Sequence, residues 1–170
     1  NWNELAGKTI GIIGMGNIGS KVAKIAEVFG MKVCYYSTSG TGHCKEYPCL
    51  PLDELLRISD VVSIHAPLND RTKDLIGKEQ LSLMKPSAIL VNAGRGAIVV
   101  EDALAEAVDN GVIAGAGIDV FVQEPIPEDH PYLRMKHKER MRLAPHVAWA
   151  SVEARRRLVD IMAENIAKGW

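Results

Sequence analysis

The ten residues Gly11 to Ser20, GIIGMGNIGS, restrict what this chain can fold into more than any other stretch. Within them Gly14, Gly16 and Gly19 form the pattern GxGxxG. Upstream lies the short apolar run Thr9 to Ile13, and downstream Ile18, Val22, Ile25, Ala26 and Phe29 recur at helical spacing. Strand, tight turn and amphipathic helix follow one another, the context in which each glycine has a task. The first turns the chain, the second lets a pyrophosphate approach the backbone, and the third lets helix pack on strand. The free N–H groups at the helix start then face the phosphates. The segment from Gly14 to Gly19, Asn17 and Ile18 included, is therefore expected to line a dinucleotide.

The rest of the chain repeats this alternation. Gly30 stands where a helix C-terminal cap belongs, and Lys32 to Tyr36 reads as a second strand. PLDELLRIS, GKEQLSLM and VEDALAEAVDN read as helices; VVSIHA, AILVNA and AGAGIDVF read as strands between and after them. Several of these strands are continuously apolar, as strands covered on both faces of a parallel sheet must be. The predicted fold is α/β: a Rossmann-like, doubly wound parallel sheet in three layers, α/β/α. After Asp119 the rhythm gives way to QEPIPEDHPYL, where Pro125, Pro127 and Pro131 are expected to forbid regular helix and leave a long functional loop. A last strand near Met141 to Ala144 precedes a helix from Val152, with Ser151 as its N-cap and Glu153 in its first turn.

Composition narrows the function. Twenty Lys and Arg against 21 Asp and Glu give a net charge of -1, so no broad basic face is offered to nucleic acid or an anionic membrane. No apolar run approaches the ~20 residues of a membrane span, and no signal-peptide pattern opens the chain, which reads as cytoplasmic. Cys34, Cys44 and Cys49 are an odd set without a CxxC pair, and His43 with two cysteines lacks a fourth ligand, so neither a disulfide framework nor a metal site is expected. A 170-residue chain with 47% hydrophobic residues fits one domain, residues 1-170, and its start at Asn1 and stop at Trp170 suggest a domain cut from a longer protein.

The second strand ends without the acidic residue that usually receives the adenosine ribose hydroxyls. Ser37 stands there, followed by Thr38 and Ser39. A hydroxyl bonds ribose yet does not repel a 2′-phosphate. No arginine follows on the same loop, although His43 and Lys45 lie farther along it. NAD is the expected cofactor, with NADP accepted as well, and discrimination between them below roughly a thousandfold in kcat/KM.

Three polar residues stand at or just beyond the ends of late strands: Arg95 in VNAGRGAIVV, Glu124 in DVFVQEP and His146 in APHVAW. Ligands of an open α/β sheet bind at that edge. An arginine there offers a planar fork suited to a carboxylate, although a strand-end ion pair fits its position equally well. A carboxylate bonded to an imidazole fixes its tautomer and favours the protonated ring. Together the three describe a site that reduces a 2-keto acid, with hydride from a nicotinamide and a proton from the histidine.

The motifs ELAGKTIGIIGMGNIG, SIHAPLN, VNAGRGAIV, GAGIDVFVQEP and APHVAWASVEARRR occur in the order seen in the D-isomer-specific 2-hydroxyacid dehydrogenases, whose NAD-binding domain this chain resembles over nearly its full length. HVAWASVEARRRLVDIMAENI is most similar to the glycerate dehydrogenases, or hydroxypyruvate reductases, and Glu124 speaks against formate dehydrogenase, where glutamine takes that place. The resemblance implies that Arg95 binds the substrate carboxylate and carbonyl, that His146 is the acid/base and that Glu124 is its partner. It implies that Asp119 holds the nicotinamide carboxamide, and that His65, Ala66, Pro67, Asn92 and Ala93 line the cofactor. It also implies a second, substrate-binding domain absent from this chain, so that these 170 residues alone should bind dinucleotide with near-zero turnover. Homodimers formed through the cofactor domain are a further implication, to which Trp149 and the charge cluster Glu153 to Arg157 are relevant, although a solvated helix face is the plainer reading of that cluster. Corepressors of the C-terminal-binding-protein type share the domain and its Arg/Glu/His set, so a nucleotide-sensing binding protein is the alternative.

Overall fold

In a computed structural model describing residues 4–169, six strands form one parallel sheet in the order β2-β1-β3-β4-β5-β6. The strands are β1 (Thr9–Ile13), β2 (Lys32–Tyr36), β3 (Val61–Ile64), β4 (Ile89–Asn92), β5 (Gly115–Ile118) and β6 (Met141–Leu143). The helices are α1 (Asn17–Val28), α2 (Leu52–Ile58), α3 (Lys78–Leu83), α4 (Glu101–Asp109), α5 (Pro131–Arg134) and α6 (Val152–Ala167). The chain runs outward from β1 to β2, then returns past β1 to β3, and this reversal opens a crevice at the carboxyl ends of β1 and β3.

Side-chain alternation along β1 explains why helices cover both sides. Ile10 and Ile12 pack with Ala23 and Ala26 of α1 on one face, and Ile13 joins Leu55 and Leu56 of α2 on the other. Val62 and Ile64 of β3 and Leu90 of β4 extend that second core toward Leu81 of α3 and Leu104 and Val108 of α4. A strand buried on both faces has no room for polar alternation, which is why the apolar runs in the sequence located the sheet. Asp60, immediately before β3, accepts from Thr9 N–H at 2.8 Å and pairs with Lys85 at 2.9 Å, so one carboxylate ties β1, β3 and the approach to β4.

Two expectations shift. The late strands stop short of their apolar runs, at Ile64, Asn92 and Ile118, because the chain leaves the ladder there to form the loops of the crevice. The proline-rich stretch is not wholly irregular: Pro131 is the first residue of the four-residue helix α5, capped by His130. Proline breaks a helix interior but suits its first turn, where its N–H has no intrahelical partner. In α6 the Ser151 hydroxyl accepts from Ala154 N–H at 3.1 Å, as the N-cap reading requires, and no residue of this helix is buried. Among the described residues no helix is long and apolar enough to cross a membrane.

Candidate active site

The glycine turn fits a dinucleotide phosphate. Gly14 has φ +93°, in the left-handed region, and an added Cβ would lie 2.9 Å from the Ala66 backbone. At Gly19 a Cβ would meet the Gly14 carbonyl at 2.2 Å, whereas at Gly16 nothing lies within 4 Å. The loop is therefore packed tightly wherever it meets protein and open where the α1 N-terminus begins. Gly19→Ala should cost on the order of 2 kcal/mol or more by forcing α1 off β1. A melting temperature unchanged from the parent would contradict this reading of the turn.

A cavity of about 260 Å³ continues from this turn over the ends of β1, β2 and β3. Gly14, Gly16, Ser37, Thr38, His65 and Pro67 all line it, so six of the sequence-predicted cofactor residues come together in one crevice. Asn17 and Ile18 begin α1 beside it, with Ile18 exposed. His65 pairs with the Ser63 hydroxyl at 2.9 Å, and burial lowers its pKa, which favours the neutral ring.

Two predicted residues are buried supports. Asn92 is 1% exposed; its Nδ2 donates to the Arg95 carbonyl at 3.0 Å and its Oδ1 accepts from Gly94 N–H at 3.1 Å. Its amide thus holds the turn that presents Arg95, with Ala93 half-buried inside it. The glycine after Arg95 has a steric reason. A Cβ on Gly96 would sit 2.0 Å from the Phe121 carbonyl carbon, so the turn carrying Arg95 lies directly on the segment carrying Glu124. Asp119 is likewise buried, and its two oxygens accept from Val147 N–H and Ala148 N–H, both at 2.8 Å.

Those two bonds fix the backbone immediately after His146, which has φ +55°. A non-glycine residue in the left-handed region is costly and persists where its surroundings over-determine it. Here Asp119 supplies that constraint. The consequence is local: His146 Nδ1 lies 2.7 Å from Glu124 Oε2, while Glu124 Oε1 accepts from Phe121 N–H at 2.9 Å. The hydrogen bond from His146 holds the Glu124 carboxyl below the usual carboxylate range, helped by the Phe121 N–H and the field of Arg95. An ionised carboxylate only accepts, so Nδ1 carries the proton and Nε2 is left as the exchanging atom.

Lowered in the folded state, the Glu124 carboxyl contributes stability that is complete above its ordinary pKa and lost as pH falls through the folded value. Carbon-detected titration of Glu124 should show a midpoint below that of an unperturbed glutamate. A midpoint at or above the ordinary value would mean the pair does not form.

Arg95, Glu124 and His146 border one cavity of about 300 Å³ at the carboxyl edge of the sheet, with Leu68 and Phe121 as apolar walls. The Arg95 guanidinium is exposed and donates through Nη1 to the Gly94 carbonyl at 2.7 Å. On the far side of the Glu124–His146 pair lies an apolar cavity of about 440 Å³, lined by Pro125, Ile126, Leu143 and Pro145 among others. The three side chains that the sequence separates by long intervals thus share one rim, with the cation on the side that suits an anion.

The sequence model of "D-isomer specific 2-hydroxyacid dehydrogenase, NAD binding domain" matches residues 1–148. The chain belongs to this family. It is 49% identical over 168 residues to the glyoxylate reductase of Aeropyrum pernix, covering 96% of this chain and 49% of that protein. To the glycerate dehydrogenase of Methylorubrum extorquens it is 44% identical over 163 residues, covering 96% and 50%. Among solved structures, the NAD complex of a D-isomer specific 2-hydroxyacid dehydrogenase from Lactobacillus delbrueckii ssp. bulgaricus superposes with a TM-score of 0.88 at 33% identity, covering 99% of this chain and 56% of that one. The chain spans about half the length of the curated relatives it matches. Its six-stranded parallel sheet is that of an NAD binding domain of this family, and the glycine turn opens onto the crevice lined by Ser37, Thr38 and His65.

The sequence did not point to the pair that braces the loop carrying Glu124. Glu101, at the start of α4, accepts from Val122 N–H at 2.9 Å through Oε1. Its Oε2 lies 3.1 Å from Nε2 of the buried His130, close enough for an ion pair though off the axis of a good hydrogen bond. No spacing rule links residues 101, 122 and 130.

Proposed function

We propose that this chain is the cofactor-binding half of an NAD(P)-dependent D-2-hydroxyacid dehydrogenase acting on a small 2-keto acid of the glyoxylate or hydroxypyruvate type. One observation carries the reading: Arg95, Glu124 and His146 border a single cavity beside the dinucleotide crevice. The names of the relatives, glyoxylate reductase and glycerate dehydrogenase, support a substrate with a small R group. Their length supports a substrate-binding part beyond these residues.

When bound, the nicotinamide supplies the hydride for reduction and accepts it in the reverse direction. The protein's own groups do the rest. Arg95 receives the substrate carboxylate through its fork of N–H donors and lowers the cost of charge building on the carbonyl oxygen. His146 donates the proton to that oxygen from Nε2, and Glu124, bonded at Nδ1, fixes the tautomer and stabilises the ring while it is charged. Asp119 keeps the His146 backbone in its left-handed conformation, and by the family resemblance it would also hold the nicotinamide carboxamide. Leu68 and Phe121 limit water at the proton-transfer position. A cytoplasmic location and assembly as a homodimer belong to the same proposal.

The experiment is absorbance at 340 nm with the full-length protein, reduced nicotinamide dinucleotide and a panel of 2-keto acids. Consumption with glyoxylate or hydroxypyruvate, and little with bulky keto acids, is expected. Dinucleotide binding without oxidation across the panel would favour a nucleotide-sensing protein instead.

A further inference from the structure

Behind the ribose end of the dinucleotide crevice, bonded to one of its lining residues rather than lining it, stands a cation that the local sequence does not announce. At the end of β2, where an acidic residue would exclude phosphate, stand Ser37, Thr38 and Ser39, all lining the crevice. Arg71, from the loop after β3 and 32 residues from Ser39, donates from Nη1 to the Ser39 carbonyl at 3.2 Å. It reaches to 3.6 Å from where a Gly40 Cβ would lie. His43, also in the lining, is held by Thr41 Oγ1 at 2.9 Å and Ser39 Oγ at 3.2 Å. The Ser37 hydroxyl donates to Thr41 O, closing the loop around this corner. No acidic residue is among those lining the crevice.

We infer that this corner is a receptor for the 2′-phosphate of NADP(H), with Arg71 as the residue that sets cofactor specificity. The inference rests on the dinucleotide reading of the crevice. A 2′-phosphate carries close to two negative charges at neutral pH and offers three acceptor oxygens. Arg71 presents a planar donor fork fixed by one of its own N–H groups on Ser39 O, so little side-chain freedom remains to be lost on binding. The serine and threonine hydroxyls and the His43 ring complete a polar corner, and no carboxylate is among the residues lining the crevice. The unphosphorylated ribose gains only hydroxyl contacts there, so NAD(H) still binds, but less tightly.

Dissociation constants of NADPH and NADH, followed by nucleotide fluorescence on the full-length protein, test this. NADPH should bind more tightly than NADH, by a margin that shrinks as salt rises. Arg71→Ala should weaken NADPH on the order of tenfold and leave NADH within about twofold, because a charge-assisted bond is lost from one ligand only. Arg71→Glu should weaken NADPH further, and Ser37→Asp should reverse the preference toward NADH. Equal affinities in the parent, or Arg71 variants that shift both ligands together or neither, would overturn the assignment of Arg71 while leaving the crevice a dinucleotide site. Failure of both dinucleotides to bind the parent would overturn the dinucleotide reading and this inference with it.

Discussion

His146→Ala in the full-length protein is expected to lower kcat by roughly 10²- to 10⁴-fold, with the dissociation constant of the nicotinamide cofactor nearly unchanged. The asymmetry follows from the geometry. His146 borders the cavity shared with Arg95 and Glu124, and the crevice lined by Gly14, Gly16 and Ser37 does not include it. Loss of the imidazole takes away the proposed proton donor and leaves Glu124 with its Phe121 N–H bond but no ring. His146→Asn is the companion test, because asparagine tolerates the left-handed backbone that His146 adopts at φ +55°. Both variants should fold and both should be slow; an unchanged kcat in either would remove His146 from the mechanism.

Arg95→Ala should reduce kcat/KM for the keto acid by on the order of 10²- to 10³-fold, about 3–4 kcal/mol of lost binding and charge stabilisation. Most of the change should appear in KM, because the carboxylate is bound in ground and transition states alike. Arg95→Lys should recover only part of the loss. A lysine supplies a point charge where the turn held by Asn92 presents a planar fork. Rescue to parental kcat/KM by lysine would show that a charge alone suffices, and an unaffected KM in Arg95→Ala would remove Arg95 from substrate binding and leave it with only its bond to the Gly94 carbonyl.

How much of this was legible beforehand depends on the range of the interaction. β1 and β2 were readable to the residue because an apolar run bounded by glycine and a charge is set by local burial alone. The ends of β3, β4 and β5 were not, since the apolar composition runs on into loops such as His65 to Pro67 that leave the ladder to line the crevice. The trio of Arg95, Glu124 and His146 could be proposed from strand-end position and motif order. Its physical supports could not, because they are contacts between distant segments: Asp119 on Val147 and Ala148, Asn92 around Arg95, and Gly96 beneath Phe121. Arg71 shows the same limit most plainly. A search along the β2 loop finds no arginine, and only the sheet topology, which sets the end of β3 beside that of β2 across β1, delivers one from the β3 loop.

The proposed activity requires a 2-keto acid held between Arg95 and His146 beside the nicotinamide. A crystal structure of the full-length protein with NAD and a non-reducible 2-keto acid analogue such as oxamate tests it most directly. The analogue's carboxylate is expected within ~3 Å of the Arg95 guanidinium and its carbonyl oxygen within ~3 Å of His146 Nε2, with the Glu124 bond at Nδ1 intact. An analogue bound away from this rim, or a nicotinamide ring pointing out of the cavity that Arg95, Glu124 and His146 share, would contradict it.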